Sequence, residues 1–94
     1  MSAIERLQLW YASQCNGEWE HTYGVTIGTL DNPGWSVQID VVGTSVAGRA
    51  MPPSRREGEH DWITCEVRDG RFYGHGGAGN LADILECFLS WADR

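Results

Sequence analysis

The sequence predicts an α+β domain, a four-stranded antiparallel sheet of two hairpins with N- and C-terminal helices packed on one face. Two observations give the hairpins. Apolar and polar residues alternate on both sides of Asp31-Asn32-Pro33-Gly34-Trp35, and again on both sides of Asp69-Gly70. The third is an apolar stripe of helical period through residues 81–92. At 94 residues and 41% hydrophobic, the chain is one domain, residues 1–94, with material for a single core.

The elements follow in order. Ile4, Leu7, Trp10 and Tyr11 recur at spacings of three and four, which predicts an amphipathic helix over residues 2–14. Ser2 with Glu5 resembles a capping box, and Asn16-Gly17 supplies a stop. Strands are predicted over residues 18–30 and 35–42, because Tyr23, Val25 and Ile27, then Trp35, Val37, Ile39 and Val41, fall at every second position. Pro33 and Gly34 suit the central positions of a type II turn spanning residues 32–35, with Gly34 supplying the positive φ. Residues 43–60 read as a long connection. Residues 46–51 can extend an edge strand, but Pro52-Pro53 ends any ladder.

Asp69-Gly70 predicts a type I′ hairpin between residues 61–68 and 71–76. That turn sets Arg68 opposite Arg71, Val67 opposite Phe72, Glu66 opposite Tyr73 and Thr64 opposite His75. Ile63, Cys65, Val67 and Phe72 then share one face, and Trp62, Thr64, Glu66, Tyr73 and His75 the other. The facing arginines oppose this register unless a carboxylate such as Asp69 lies near. The glycine-rich residues 74–79 match neither GxGxxG nor a P-loop with its lysine, and are read as structural punctuation. Asn80 is the expected N-cap of a helix with Asp83 at its third position. Leu81, Ile84, Leu85, Phe88, Leu89 and Ala92 form that helix's apolar face. Burying its large side chains is worth on the order of 10 kcal/mol gross, at about 2 kcal/mol each.

Net charge is −6 with a pI near 4.8, which disfavours nucleic acid and anionic membranes and favours a basic partner. Three cysteines, at 15, 65 and 87, form no CxxC pair and suit small buried thiols in a reducing compartment. No apolar run reaches signal-peptide length or the roughly 18 residues of a membrane span, so a cytoplasmic protein is expected. His21, His60 and His75 do not share ligand spacing within one element, and neither a metal nor a cofactor is expected. Glu18, Glu20 and His21 lack a nucleophile or oxyanion donor beside them, so no catalytic residue is assigned.

The polar face of the sheet carries the candidate binding residues: Trp62, Glu66, Tyr73 and His75 from one hairpin, Gln38 and Asp40 from the other. Aromatic anchors among carboxylates are the composition of a protein-binding surface. The alternative for Trp62 is that it lies beneath the long loop or packs over Gly24. A different class of function, a small hydrolase or ligand-binding domain, would use His21, His75 and nearby carboxylates, and requires a pocket that gathers them.

Several segments resemble one family. They are Leu7-Gln8-Leu9-Trp10-Tyr11, Cys15-Asn16-Gly17-Glu18-Trp19-Glu20-His21, Tyr23-Gly24-Val25, Thr29-Leu30-Asp31-Asn32-Pro33-Gly34-Trp35 and Val37-Gln38-Ile39-Asp40. With Asp61-Trp62, Phe72-Tyr73-Gly74 and the C-terminal apolar helix, they resemble the immunity protein 53 family of bacterial polymorphic toxin systems. The resemblance implies a small cytoplasmic antitoxin that binds and neutralises a cognate toxin domain, a nuclease being one candidate. Trp10, Tyr11, Trp19, Glu20, Asp31, Asn32, Pro33, Gly34 and Trp35 match the family's motifs, and are expected to be structural rather than toxin contacts.

Overall fold

Asp69 and Gly70 both take positive φ, 53° and 77°, as the tight hairpin turn requires. The computed structural model, which describes residues 1–93, builds the chain as α1 (Ala3–Gln14), α2 (Trp19–Thr22), β1 (Val25–Leu30), β2 (Gly34–Asp40), β3 (Ser54–Arg56), β4 (Ile63–Arg68), β5 (Arg71–Gly76) and α3 (Leu81–Ala92). The β4–β5 register is the one Asp69-Gly70 predicts, with Val67 opposite Phe72, Glu66 opposite Tyr73 and Thr64 opposite His75. Arg68 and Arg71 do face each other; the charge of Asp69 acts on Arg68 as expected, but the direct partners are other carboxylates. Arg68 Nε donates to Glu66 Oε1 at 2.8 Å with its guanidinium 4.1 Å from the Tyr73 ring centre, and Arg71 Nε donates to Asp40 Oδ1 at 2.8 Å.

The sheet has five strands, not four, in the order β1-β2-β5-β4-β3 and antiparallel throughout. The added strand lies in the segment expected to be a loop. Ser54, Arg55 and Arg56 pair with Cys65, Thr64 and Ile63 immediately after Pro52-Pro53. The prolines border the ladder rather than break it, and three residues are too few to show a period of two. The rest of that segment is anchored as well: Val46 is buried, Trp91 Nε1 donates to the Ala50 carbonyl, and Arg49 Nη1 donates to the Trp91 carbonyl.

Two further expectations are corrected. The first strand begins at Val25, because residues 19–22 form a short helix instead. Asn16 Oδ1 accepts from the Glu18 and Trp19 N–H groups, while the Glu20 carboxylate accepts from Asn16 and Gly17. These reciprocal local bonds wind residues that precede the alternation at Tyr23, Val25 and Ile27. Gly34, expected at positive φ inside a type II turn, instead opens β2 opposite Leu30, leaving Asp31, Asn32 and Pro33 as the turn. Glycine is needed there for proximity: a Cβ at Gly34 would collide with the Gly76 carbonyl oxygen on β5.

The core lies between the sheet and the helices. Val37, Ile39, Phe72, Ile63 and Cys65 from the strands meet Ile84, Leu85, Phe88 and Leu89 of α3, all buried. Trp91, outside the predicted stripe, is buried too, because its indole turns toward the residue 43–53 segment. α1 carries the expected Ser2–Glu5 capping box, sits beside α3 and contributes Leu7 to the core. All three cysteines are free thiols.

Candidate functional site

Strand register brings most of the nominated residues together on the face away from the helices. Gln38 lies opposite Tyr73, which lies opposite Glu66, so the three form a row across β2, β5 and β4. One pair further along, His75 stands between Ser36 and Thr64; one pair the other way, Asp40 faces Arg71. Trp62 precedes β4 on the same face, half-buried, beyond His75. It does not pack over Gly24, whose missing Cβ would meet nothing within 4 Å; its neighbour is Gly77, where a Cβ would lie 3.3 Å from the Trp62 ring.

The electrostatics differ from an open acidic patch. Asp40 is a structural carboxylate: Oδ1 accepts from Arg71, Oδ2 accepts from the Gly24 N–H at 3.0 Å, and the side chain is only 16% exposed. Glu66 is paired with Arg68. Both nominated carboxylates are therefore neutralised within the face. Arg6, Arg55 and Arg56 are likewise paired with acidic side chains. Among the described residues, Glu5, Glu18, Glu20, Asp31, Glu59 and Asp69 make no ion pair with arginine, and of these Glu59 and the turn carrying Asp31 lie toward the Trp62 end.

Two shallow recesses meet at Trp62, and a third adjoins one of them through Arg55. The largest, about 530 Å³, lies between Trp62, Glu59 and His60 on one side and Asn32, Pro33 and the residue 77–79 loop on the other. A second, about 350 Å³, runs from Trp62 along residues 55–59. The third, about 240 Å³, continues from Arg55 to Thr64, Glu66, Tyr73 and His75. Shared Trp62, Glu59 and Arg55 make them one concave strip. Sequence reasoning missed Arg55, Glu59 and His60, which lie in the segment read as loop; Asn32 and Pro33 were identified as motif residues but not as a wall of this strip.

The rim is fixed from below. Asn80, expected to cap α3 with its side chain, makes no such bond. Instead its buried amide joins three segments: Nδ2 donates to Asp61 Oδ1 and Asp83 Oδ2, each at 2.8 Å, and Oδ1 accepts from the Trp62 N–H. Arg56 bonds the same two carboxylates at 2.7 and 3.0 Å. Hydrogen bonds from Asn80, and then from Arg56, hold the Asp61 carboxyl below the usual range. Trp35 Nε1 donates to the Ala78 carbonyl at 2.8 Å, tying the turn's strand to the glycine-rich loop.

The remaining motif residues lie at the opposite end of the sheet. Trp19 is buried, donates Nε1 to the Val42 carbonyl at 2.8 Å, and sits 6.3 Å from Trp10 and 5.9 Å from Tyr11 between ring centres. Trp10 packs edge-on to Phe88 at 4.9 Å. Glu20 caps the loop before α2, and the local N–H groups it accepts from hold its pKa below the ordinary value. His21 is exposed on α2 at this end, whereas His75 lies near the Trp62 end, so no shared pocket gathers them.

The fold and this surface define a small α+β domain that presents a concave strip along one sheet face and its end. No group of three or more His, Cys, Asp or Glu side chains able to hold a metal occurs among the described residues, and no helix there is long and apolar enough to cross a membrane. The chain belongs to the immunity protein 53 family, whose model matches residues 4–93. Nothing matches among curated proteins or solved structures.

Proposed function

We propose that this protein is an antitoxin that binds a cognate toxin domain through the concave strip around Trp62 and covers the toxin's active or substrate-binding surface. Family membership is the observation that carries the reading, and it brings a toxin partner with it. Trp62 and Tyr73 are the aromatic anchors, with His75 and Gln38 completing the floor. Asp40 and Glu66 hold Arg71 and Arg68 in place. Steering falls to the excess negative charge of the chain, −6 overall, of which Glu59 lies on the strip itself. A basic toxin surface, such as a nuclease presents to nucleic acid, is the complement. The action is occlusion by binding rather than catalysis, in the cytoplasm of the producing cell.

The test is co-expression with the toxin domain encoded beside it, followed by co-purification. A tight 1:1 complex and rescue of toxin-expressing cells are expected. Absence of both binding and rescue would overturn the reading.

A further inference from the structure

The two edges of the sheet are finished differently. β3 is three residues long, carries Arg55 and Arg56, and follows Pro52-Pro53; these features keep an edge from pairing with another chain. β1 is six residues long, Val25-Thr26-Ile27-Gly28-Thr29-Leu30, and has neither charge nor proline. The direction of its free backbone groups follows from the ladder. The Asp40 N–H donates to the Gly24 carbonyl, and Gly24 lies opposite Asp40 by continuation of the Val25–Ile39 register. Alternation then turns the N–H and C=O groups of Thr26, Gly28 and Leu30 toward β2, and those of Val25, Ile27 and Thr29 outward. On the helix side, Val25 and Ile27 line an apolar groove of about 380 Å³ with Ile4, Leu7 and Tyr11. Ile4 is 57% and Ile27 41% exposed.

We propose that this edge is a homodimer interface, in which β1 pairs antiparallel with β1 of a second copy about a two-fold axis at Ile27. The register is self-complementary. Ile27 faces the same residue of the second copy and Val25 faces Thr29, so every outward donor and acceptor meets its counterpart. A two-fold perpendicular to the sheet keeps the helices of both copies on one side. The two grooves then meet across the seam, and Ile4, Tyr11 and Ile27 of each copy cover one another.

Charge selects the occupant. The groove lining carries no charged side chain, so two copies close over it without burying an ion, whereas a basic toxin surface would bury its cations against apolar side chains. The strip around Trp62 remains free in such a dimer.

Sedimentation equilibrium of the full chain, Ile27→Lys and Thr29→Pro tests this. Thr29 suits proline because its N–H serves no bond within one copy. The wild type is expected to show a reversible monomer–dimer equilibrium, and each substitution to raise the dimer dissociation constant at least about tenfold. Circular dichroism melting checks that both variants stay folded; if Thr29→Pro does not, Ile27→Lys carries the comparison alone. A wild type that stays monomeric at high concentration, or a dimer that survives Ile27→Lys, overturns the proposal. So does a monomeric wild type whose toxin binding is lost in Ile27→Lys, since the edge would then belong to the toxin.

Discussion

At one end of the sheet Trp10 and Tyr11 pack against Trp19 and Trp10 against Phe88, with Trp19 buried and its N–H bonded to the Val42 carbonyl; at the other, Trp62 stands half-buried where two recesses meet. Both ends are rich in aromatic side chains, and both carry motif residues of the family. The difference is in what the rings have left to do. Trp19 has spent its apolar area on the core, whereas Trp62 keeps its ring area partly open above a floor tied down by Asn80 and Arg56. Aromatic content alone therefore does not locate an interface. Burial is what distinguishes the two rings.

Trp19→Ala gives the largest expected effect. It should lower stability by about 3–5 kcal/mol in denaturant unfolding, as loss of a buried large aromatic does, and abolish protection only by unfolding the protein. Trp62→Ala should do the reverse. Toxin binding is expected to weaken by about 2 kcal/mol, roughly 30-fold, in titration calorimetry, while thermal stability falls by less than about 1 kcal/mol. If Trp62→Ala instead unfolds the protein as Trp19→Ala does, the two ends do not differ and the site assignment fails.

Gly34→Ala should cost about 1 kcal/mol or more through the clash with the Gly76 carbonyl. Calorimetric melting is the measure, and an unchanged midpoint would show that the turn and the glycine-rich loop yield easily. Acid gives the smallest effect and touches both ends. Hydrogen bonds depress Asp61 beside Trp62 and Glu20 beside Trp19. A depressed carboxylate stabilises the fold fully above its unfolded pKa and loses that contribution as pH falls through the folded one. Denaturant midpoints should thus be flat from neutrality down to about pH 5 and decline below about pH 4. A decline already complete at pH 6 would point to a different group.

Much of the architecture was legible because it rests on local signals. The α3 stripe, the Ser2–Glu5 box and the Asp69-Gly70 turn each act over a few residues, and the last fixed a register that placed Tyr73, Glu66 and His75 on one face. What sequence could not show depended on distant partners. Gly34 was read as a turn residue because its real constraint, Gly76, lies on another hairpin. β3 was hidden by its shortness and its prolines. Trp19 fell in a predicted strand because the Asn16 and Glu20 bonds that wind α2 leave no periodic trace. The candidate site was half legible: alternation gave its floor, while its walls come from segments that meet only after folding. Asp40 looked like a free carboxylate until Arg71 and the Gly24 N–H were placed beside it.

The contact between Gly34 and the Gly76 carbonyl, with Trp35 bonded to Ala78, has a consequence for recognition kinetics. Backbone lies directly on backbone there, with no side chain between that can swing aside. The wall beside Trp62 therefore exists before any partner arrives, and little conformational entropy remains to be lost on docking. On the proposed reading, differences in affinity among related toxins should therefore show up mainly in how long each complex lasts.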